Sequence, residues 1–164
     1  MELITIIFIA VLTFSTRIIN LLNIPIFTDE AIYIRWAQIG LADPAHRYIS
    51  LTDGKQPLMT WLMYPFLLIF QDPLFAGRFV SVISAVFAVI GIYLLGRELF
   101  GKKTAFFSAF LYIISPFTIL YDRLALYDAL LSSIFIWTML LEILLIRHLR
   151  LDTALMLGVS IGLG

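Results

Sequence analysis

The chain has 164 residues, of which 62% are hydrophobic and 13% charged, with no net charge and a mean hydropathy of +1.01. A soluble domain of this size does not carry so large a share of apolar residues, so the composition predicts an all-α polytopic membrane protein, a transmembrane helical bundle. There is no basic run to indicate nucleic-acid binding, and the absence of cysteine excludes disulfides, thiolate nucleophiles and zinc–thiolate clusters.

Five apolar segments have the composition of membrane spans, which need about 17 to 25 residues. The first covers residues 3–22 and has no small-residue cleavage site after it, so it is expected to be retained rather than removed as a signal peptide. The other four cover residues 79–95, 104–120, 129–146 and 154–164. The last is incomplete, which predicts that residues 1–164 are the N-terminal part of a longer catalytic domain.

Between the first two spans, residues 27–72 predict one long loop on a single side of the membrane. Its apolar run at residues 57–70 is short for a span and has Pro65 in its middle, which removes a backbone hydrogen bond that lipid cannot replace. This run is therefore expected to form an interfacial or re-entrant helix.

The stretch "DEAIYIRWAQIG" predicts a second interfacial helix in the same loop. Helical spacing places Ile32, Trp36 and Ile39 on one face and Glu30 on another. Such a helix can lie on the membrane with its apolar face down.

Basic residues in the short loops predict the orientation of the spans. The loops at residues 96–103 and 147–150 carry lysine and arginine and lie on the same side if the spans alternate. Positive loops stay in the cytoplasm, so the N-terminus and these loops are expected inside and residues 27–72 outside. Arg17, near the end of the first span, is expected to extend to the lipid head groups.

Polar residues from distant parts of the chain then collect on the outer side. They are Asp29–Glu30, residues 53–57, Arg78 and residues 121–128. Ionisable groups at the edge of a membrane protein are costly unless they pair or act on a substrate. Their convergence predicts a site for an anionic substrate carried in the membrane.

The motifs that carry these residues occur in a recognisable order. "DE", then "KQPL", then the segment from "DPLFAGRF" to "YIISPF", then "YDRLALYDALL" resembles the N-terminal part of the GT-C glycosyltransferases of the dolichyl-phosphate-mannose protein mannosyltransferase type. That group includes the bacterial aminoarabinose transferase of lipid A, and the likeness covers nearly the whole chain.

The resemblance implies a GT-C-like enzyme that moves a sugar from a polyprenyl-phosphate donor to a hydroxyl of a protein, lipid or glycan. It implies an integral protein of the plasma membrane, or of the endoplasmic reticulum in a eukaryote, with its active site on the extracytoplasmic side. No cofactor is certain, and a divalent metal is left open. The 164-residue chain alone is expected to be inactive.

The acids of these motifs are assigned to catalysis. Displacement at the anomeric carbon needs a carboxylate that removes the proton of the attacking hydroxyl. Asp29 matches the first acid of the family's "DE" and is the predicted base, while Glu30 is expected to orient its neighbours. Asp128 matches the acid of the later motif and is expected to hold the site or the acceptor.

The cations are assigned to the donor phosphate, which departs with negative charge. Lys55 matches a lysine that precedes the proline in many members of the family and is expected to act as a point charge on the phosphate. Arg123 is assigned to phosphate binding or structural pairing, and Arg78 to phosphate binding. Ile32, where the aminoarabinose enzymes have arginine, and Gln56, in place of a first proline, depart from the family pattern.

Other interpretations of the same residues stay open. Asp29 and Glu30 follow Thr28, and acids in a first helical turn are favoured by the helix dipole without any catalytic role. His46 with Asp43 and Asp53 is a weak candidate for a metal site. A transporter or flippase is the alternative function, although its charges should lie near the midplane of broken helices; a non-catalytic assembly subunit would need no convergence of charges.

Overall fold

A computed structural model of the chain describes residues 2–164 and is helical throughout, with no strand in that range. This confirms the all-α prediction. The helices are α1 (Glu2–Ile18), α2 (Thr28–Ala42), α3 (Leu58–Ile69), α4 (Pro73–Phe100), α5 (Lys102–Ile114), α6 (Pro116–Tyr121), α7 (Tyr127–His148) and α8 (Leu151–Leu163). Two 3₁₀ turns, Pro44–His46 and Ile49–Asp53, connect α2 to α3.

The longest helix, α4, is the one on which the others pack. Asp72 caps its start, where Oδ1 accepts hydrogen bonds from the backbone N–H groups of Leu74 (2.8 Å) and Phe75 (3.2 Å). Helices α1, α3, α5 and α7 all contact it. Its Gly96 lies so close to α5 that an added Cβ would be 3.0 Å from the Cα of Ala105, so the absence of a side chain there allows the two helices to meet.

Only α4 and α7, among the described residues, are long and apolar enough to cross a membrane by length and composition. They contain the predicted spans 79–95 and 129–146. Helix α8 begins three residues before the predicted segment 154–164, at Leu151. Whether each helix crosses a bilayer stays a prediction.

Two of the predicted spans are interrupted. The segment 104–120 was expected to be one helix, but α5 ends at Ile114 and α6 begins at Pro116. Ser115 between them has extended backbone angles (φ −62°, ψ 123°), because a residue before proline is disfavoured in the α conformation. The segment 3–22 likewise stops being helical after Ile18, and Asn20 lies in the left-handed region (φ 54°).

The predicted loop at residues 27–72 does contain two helices, α2 and α3, which pack on each other and on α4. Their position at a membrane surface remains untested. The face of α2 that packs on the protein includes Glu30, Tyr33 and Ala37, whereas Ile32, on the face expected to meet the membrane, is 40% exposed. A carboxylate on this buried face requires a partner, which Arg78 supplies.

Arg17 does not extend to the surface as expected. Its side chain is fully buried, and its Nε donates to Asp122 Oδ2 at 3.2 Å. Its remaining N–H groups bond to the carbonyl oxygens of Tyr112 and Ile113 and to the hydroxyls of Thr16 and Thr118. The snorkelling prediction is therefore wrong, because Asp122, distant in sequence, provides a buried counter-charge.

Breaking this pair should destabilise the fold strongly. We expect Arg17→Met to lower the free energy of unfolding by about 3–5 kcal/mol, since it leaves the Asp122 carboxylate buried without its cation. Thermal unfolding of the purified protein in detergent measures the effect, and Arg35→Met, at an exposed position of α2, is the control. The double variant Arg17→Met/Asp122→Asn should recover part of the loss; equal unfolding temperatures for wild type and Arg17→Met would contradict the pairing.

Candidate functional site

A buried ion pair between Glu30 and Arg78 lies under the predicted site. Arg78 Nε donates to Glu30 Oε1 and Arg78 Nη2 to Glu30 Oε2, both at 2.8 Å. Neither side chain has solvent exposure. The two parallel bonds are the bidentate geometry that makes arginine–carboxylate pairs strong and directional.

The remaining polar groups of the pair bond to the backbone. Glu30 accepts hydrogen bonds from the N–H of Ala125 (2.7 Å) and of Phe27 (2.9 Å). Arg78 donates its other N–H groups to the carbonyl oxygens of Leu21, Ile24 and Pro25, at 2.8 to 3.2 Å. The pair thus joins the start of α2, the start of α4, the turn that follows α1 and the loop that precedes α7.

This network sets the charge state of Glu30. Burial alone would raise the pKa of the Glu30 carboxyl, but hydrogen bonds from Arg78 and from the N–H groups of Ala125 and Phe27 outweigh it and hold the pKa below its ordinary range. Glu30 is therefore ionised at neutral pH, and both of its carboxylate oxygens accept two hydrogen bonds each. It fits the expected orienting role and has no lone pair directed at a substrate.

The same geometry disagrees with the phosphate-binding assignment of Arg78. All five of its N–H groups, one on Nε and two on each Nη, are used inside the protein. A phosphate would have to displace the buried partners of Arg78. We therefore regard Arg78 as a positioning residue.

The carboxylates of Asp29 and Asp128 are close enough to act electrostatically on one buried residue, Tyr33, which the sequence analysis missed. Burial first, and then the nearby carboxylates of Asp29, Asp53 and Asp128, raise the pKa of the Tyr33 phenol. The three acids are exposed, whereas Tyr33 is only 7% exposed. Tyr33 is four residues after Asp29, so helical spacing puts both on one side of α2, and this was the available signal.

The ring of Tyr127 closes the other side of Tyr33. Their ring centroids are 4.8 Å apart in an edge-to-face arrangement. The hydroxyl of Ser50, a fully buried residue, lies beside the Tyr127 hydroxyl, yet neither oxygen has a hydrogen-bond partner of normal geometry within residues 2–164. The site thus contains two buried hydroxyls with unused hydrogen-bonding capacity.

The backbone of Lys55 is hydrogen-bonded to Ser50, which lies beside Tyr127. Its N–H donates to the carbonyl oxygen of Ser50 at 3.1 Å, after a turn in which Gly54 adopts a left-handed conformation (φ 70°). The Lys55 side chain is exposed. The structure therefore leaves this cation available to a ligand, in contrast to Arg78.

Arg123 makes structural contacts with part of its guanidinium. Nη2 donates to the carbonyl oxygens of Ile19 (2.8 Å) and Asn20 (2.7 Å). Burial and the neighbouring charges of Arg78 and Arg17 lower its pKa, and its buried Nε has no hydrogen-bond partner in the described chain. These contacts tie Arg123 to the turn after α1, and its role at the phosphate stays a prediction.

Two cavities share the wall residue Leu163, and one of them adjoins the segment that follows Lys55. Gln56 and Pro57 line a cavity of about 280 Å³ that also includes Trp61 and Leu163. Leu163 is shared with a cavity of about 510 Å³ between α4, α7 and α8, whose wall is almost entirely apolar. One cavity wall thus begins at Gln56, the residue after the exposed cation, and Leu163 borders both cavities.

Of the three residues considered as a weak metal site, only His46 and Asp43 are in contact. His46 Nδ1 lies 2.8 Å from Asp43 Oδ2 at the exposed end of α2, and Asp53 is instead one of the acids near Tyr33. Among residues 2–164 no three histidine, aspartate or glutamate side chains are close enough to hold a metal ion together.

Comparison with known proteins returns one finding. The family model described as dolichyl-phosphate-mannose-protein mannosyltransferase matches residues 54–164. No curated protein and no solved structure matches the chain. The matched range contains Lys55, Arg78, Arg123 and Asp128, whereas Asp29 and Glu30 lie before it.

The ionised state of Glu30 predicts how stability depends on pH. Because its folded pKa lies below the ordinary value of 4.5, the pair stabilises the fold fully above that value and the contribution is lost as pH falls through the folded pKa. We expect Glu30→Gln to lower the free energy of unfolding at pH 7 by about 3–5 kcal/mol, by leaving Arg78 unpaired, and to flatten the loss of stability in acid.

Thermal unfolding between pH 7 and acid measures both effects. Glu142→Gln, the same substitution at an exposed glutamate, is the matched control and should follow the wild-type curve. A Glu30→Gln variant with wild-type stability and acid dependence would show that the pair does not form.

Proposed function

The chain belongs to the dolichyl-phosphate-mannose-protein mannosyltransferase family, which indicates a membrane glycosyltransferase using a polyprenyl-phosphate sugar donor, and we propose that it transfers the sugar to a hydroxyl at the outer membrane face. The acceptor class is a protein, lipid or glycan hydroxyl. The observation that carries the proposal is the convergence of Asp29 and Asp128 at Tyr33, next to the segment that bears Lys55.

Asp29 is the proposed base. Its exposed carboxylate takes the proton of the acceptor hydroxyl as the hydroxyl oxygen attacks the anomeric carbon. The bond between that carbon and the phosphate oxygen breaks, and the polyprenyl phosphate departs with the bonding electron pair. Support comes from the contrast with Glu30, whose carboxylate oxygens are occupied by four N–H groups.

Lys55 is the proposed contact for the donor phosphate. An ammonium group stabilises the negative charge that grows on the phosphate as it leaves. The two cavities that share Leu163, one of them also lined by Gln56 and Pro57, have the largely apolar walls that an isoprenoid chain requires. Charge and lipid would then be bound by adjoining residues, in the order in which the donor carries them.

Tyr33 and Asp128 are proposed to hold the acceptor beside Asp29. Because the pKa of Tyr33 is raised, its phenol keeps its proton and can donate a hydrogen bond at neutral pH. Asp128, on the first turn of α7, can accept one from a second hydroxyl.

The role of Asp29 is tested by removing only its ability to accept a proton. Asp29→Asn should lower the turnover of the enzyme by roughly 10²- to 10⁴-fold while leaving donor binding nearly unchanged. Asp43→Asn is the matched control, because Asp43 is also an exposed acid of the segment between α1 and α3 and its cap to Ala45 N–H survives as an amide. The measurement is a transfer assay with donor binding determined separately.

Lys55→Met in the same experiment separates the two roles. It should weaken donor binding as well as turnover, since the charge faces the phosphate in both the ground state and the transition state. Near-normal turnover of Asp29→Asn would show that Asp29 is not the base and that the acid pair only places negative charge at a helix N-terminus. Unchanged donor affinity of Lys55→Met would remove Lys55 from the phosphate site.

The proposed face of the membrane is tested by labelling. The described chain contains no cysteine, so Asp53→Cys and Lys102→Cys each introduce one exposed thiol there. In intact cells or sealed vesicles of native orientation, an impermeant thiol reagent should label Asp53→Cys from outside and Lys102→Cys only after the membrane is opened. The reverse pattern would move the site to the cytoplasmic face.

A further inference from the structure

A cavity of about 400 Å³ lies at the opposite end of α4 from the Arg78 pair, between the start of α1 and the start of α5. Its wall includes Glu2, Tyr93, Lys102, Lys103, Phe106 and Phe107. None of these residues belongs to the candidate site or contacts its acids. The cavity therefore requires an explanation of its own.

The charge on this wall is positive. Glu2 is paired with Arg97 of α4, so its carboxylate is already neutralised. Lys102 and Lys103 are exposed and form no ion pair within residues 2–164. Two ammonium groups are thus presented together, and both point charges suit a phosphate.

The side chain of Tyr93 provides the second, independent sign of a ligand. Tyr93 lines the cavity although it is only 3% exposed. No hydrogen bond connects it to another residue of the described chain. The Tyr93 hydroxyl does not belong to the buried unpartnered atoms of the described chain, so it opens on the cavity and can donate a hydrogen bond to an oxygen atom of a ligand there.

The neighbouring surface is apolar. Phe106 and Phe107 form one side of the cavity, and Phe110 and Leu111 continue along α5. All four are exposed. Cationic and aromatic groups above an apolar strip match a molecule with an anionic head and hydrocarbon chains.

We propose that this cavity binds the head group of an anionic phospholipid, with Lys102 and Lys103 at the phosphate, the Tyr93 hydroxyl donating to it, and the acyl chains along α5. Inorganic phosphate offers the same anionic oxygens, but it has no hydrocarbon chain to contact the apolar strip. The inference does not depend on the proposed transfer reaction or on which face of the membrane is outside.

The test compares lipid retention in nanodiscs of phosphatidylcholine with and without phosphatidylglycerol. These discs have the same composition in both leaflets, so the result is independent of orientation. Native mass spectrometry of the protein released from the mixed discs should show one retained phosphatidylglycerol. Lys102→Gln/Lys103→Gln should weaken retention roughly thirtyfold, about fivefold for each charge, and Tyr93→Phe should weaken it to a smaller extent.

Matched variants separate this site from general charge. Arg150→Gln removes an exposed cation of another loop and should retain the lipid, while Lys102→Arg/Lys103→Arg should restore retention. Equal loss in Arg150→Gln, or undiminished retention in the double glutamine variant, would overturn the proposal. Binding of inorganic phosphate to the detergent-purified protein with the same lysine dependence, and no retained phosphatidylglycerol, would assign the cavity to a soluble anion instead.

Discussion

The bidentate pair of Glu30 and Arg78 is the interaction on which the arrangement of the site depends. A carboxylate and a guanidinium can be held away from water only when nearly all their hydrogen-bonding groups are satisfied, and here the backbone supplies what the two side chains do not. The partners therefore constrain four segments at once. Asp29, adjacent to Glu30, is consequently fixed in position at the surface.

The loop before α7 is held by a second buried pair as well as by the first. Asp122 accepts from Arg17 and from the Tyr112 hydroxyl, while Ala125 donates to Glu30. Arg123 between them bonds back to the turn after α1. The five residues between α6 and α7 are thus held at three points. Asp128, which follows them, is thereby positioned near α2, almost a hundred residues earlier in the sequence.

Hydropathy predicted the two longest helices, α4 and α7, because both contain long runs of apolar residues. The interruption at Ser115 and Pro116 was also visible in the sequence, but a continuous apolar run was given more weight than the conformational restriction before proline. The burial of Arg17 and Arg78 was not predictable in the same way. It depends on partners 105 and 48 residues away, and no local pattern reveals such pairings. Tyr33 was missed because a tyrosine on an amphipathic helix is ordinarily a packing residue.

The turn between α1 and α2 is held almost entirely through its main chain. Arg78 and Arg123 bond to the carbonyl oxygens of residues 19, 20, 21, 24 and 25, and a carbonyl oxygen is the same in every amino acid. The two arginines therefore fix the path of this turn without contacting its side chains, and the choice of residue is restricted instead at Asn20, with its left-handed φ of 54°, and at Leu21, which is 2% exposed. Ile19, whose side chain is 61% exposed, is by contrast a position of this turn where a different side chain should leave that path unchanged.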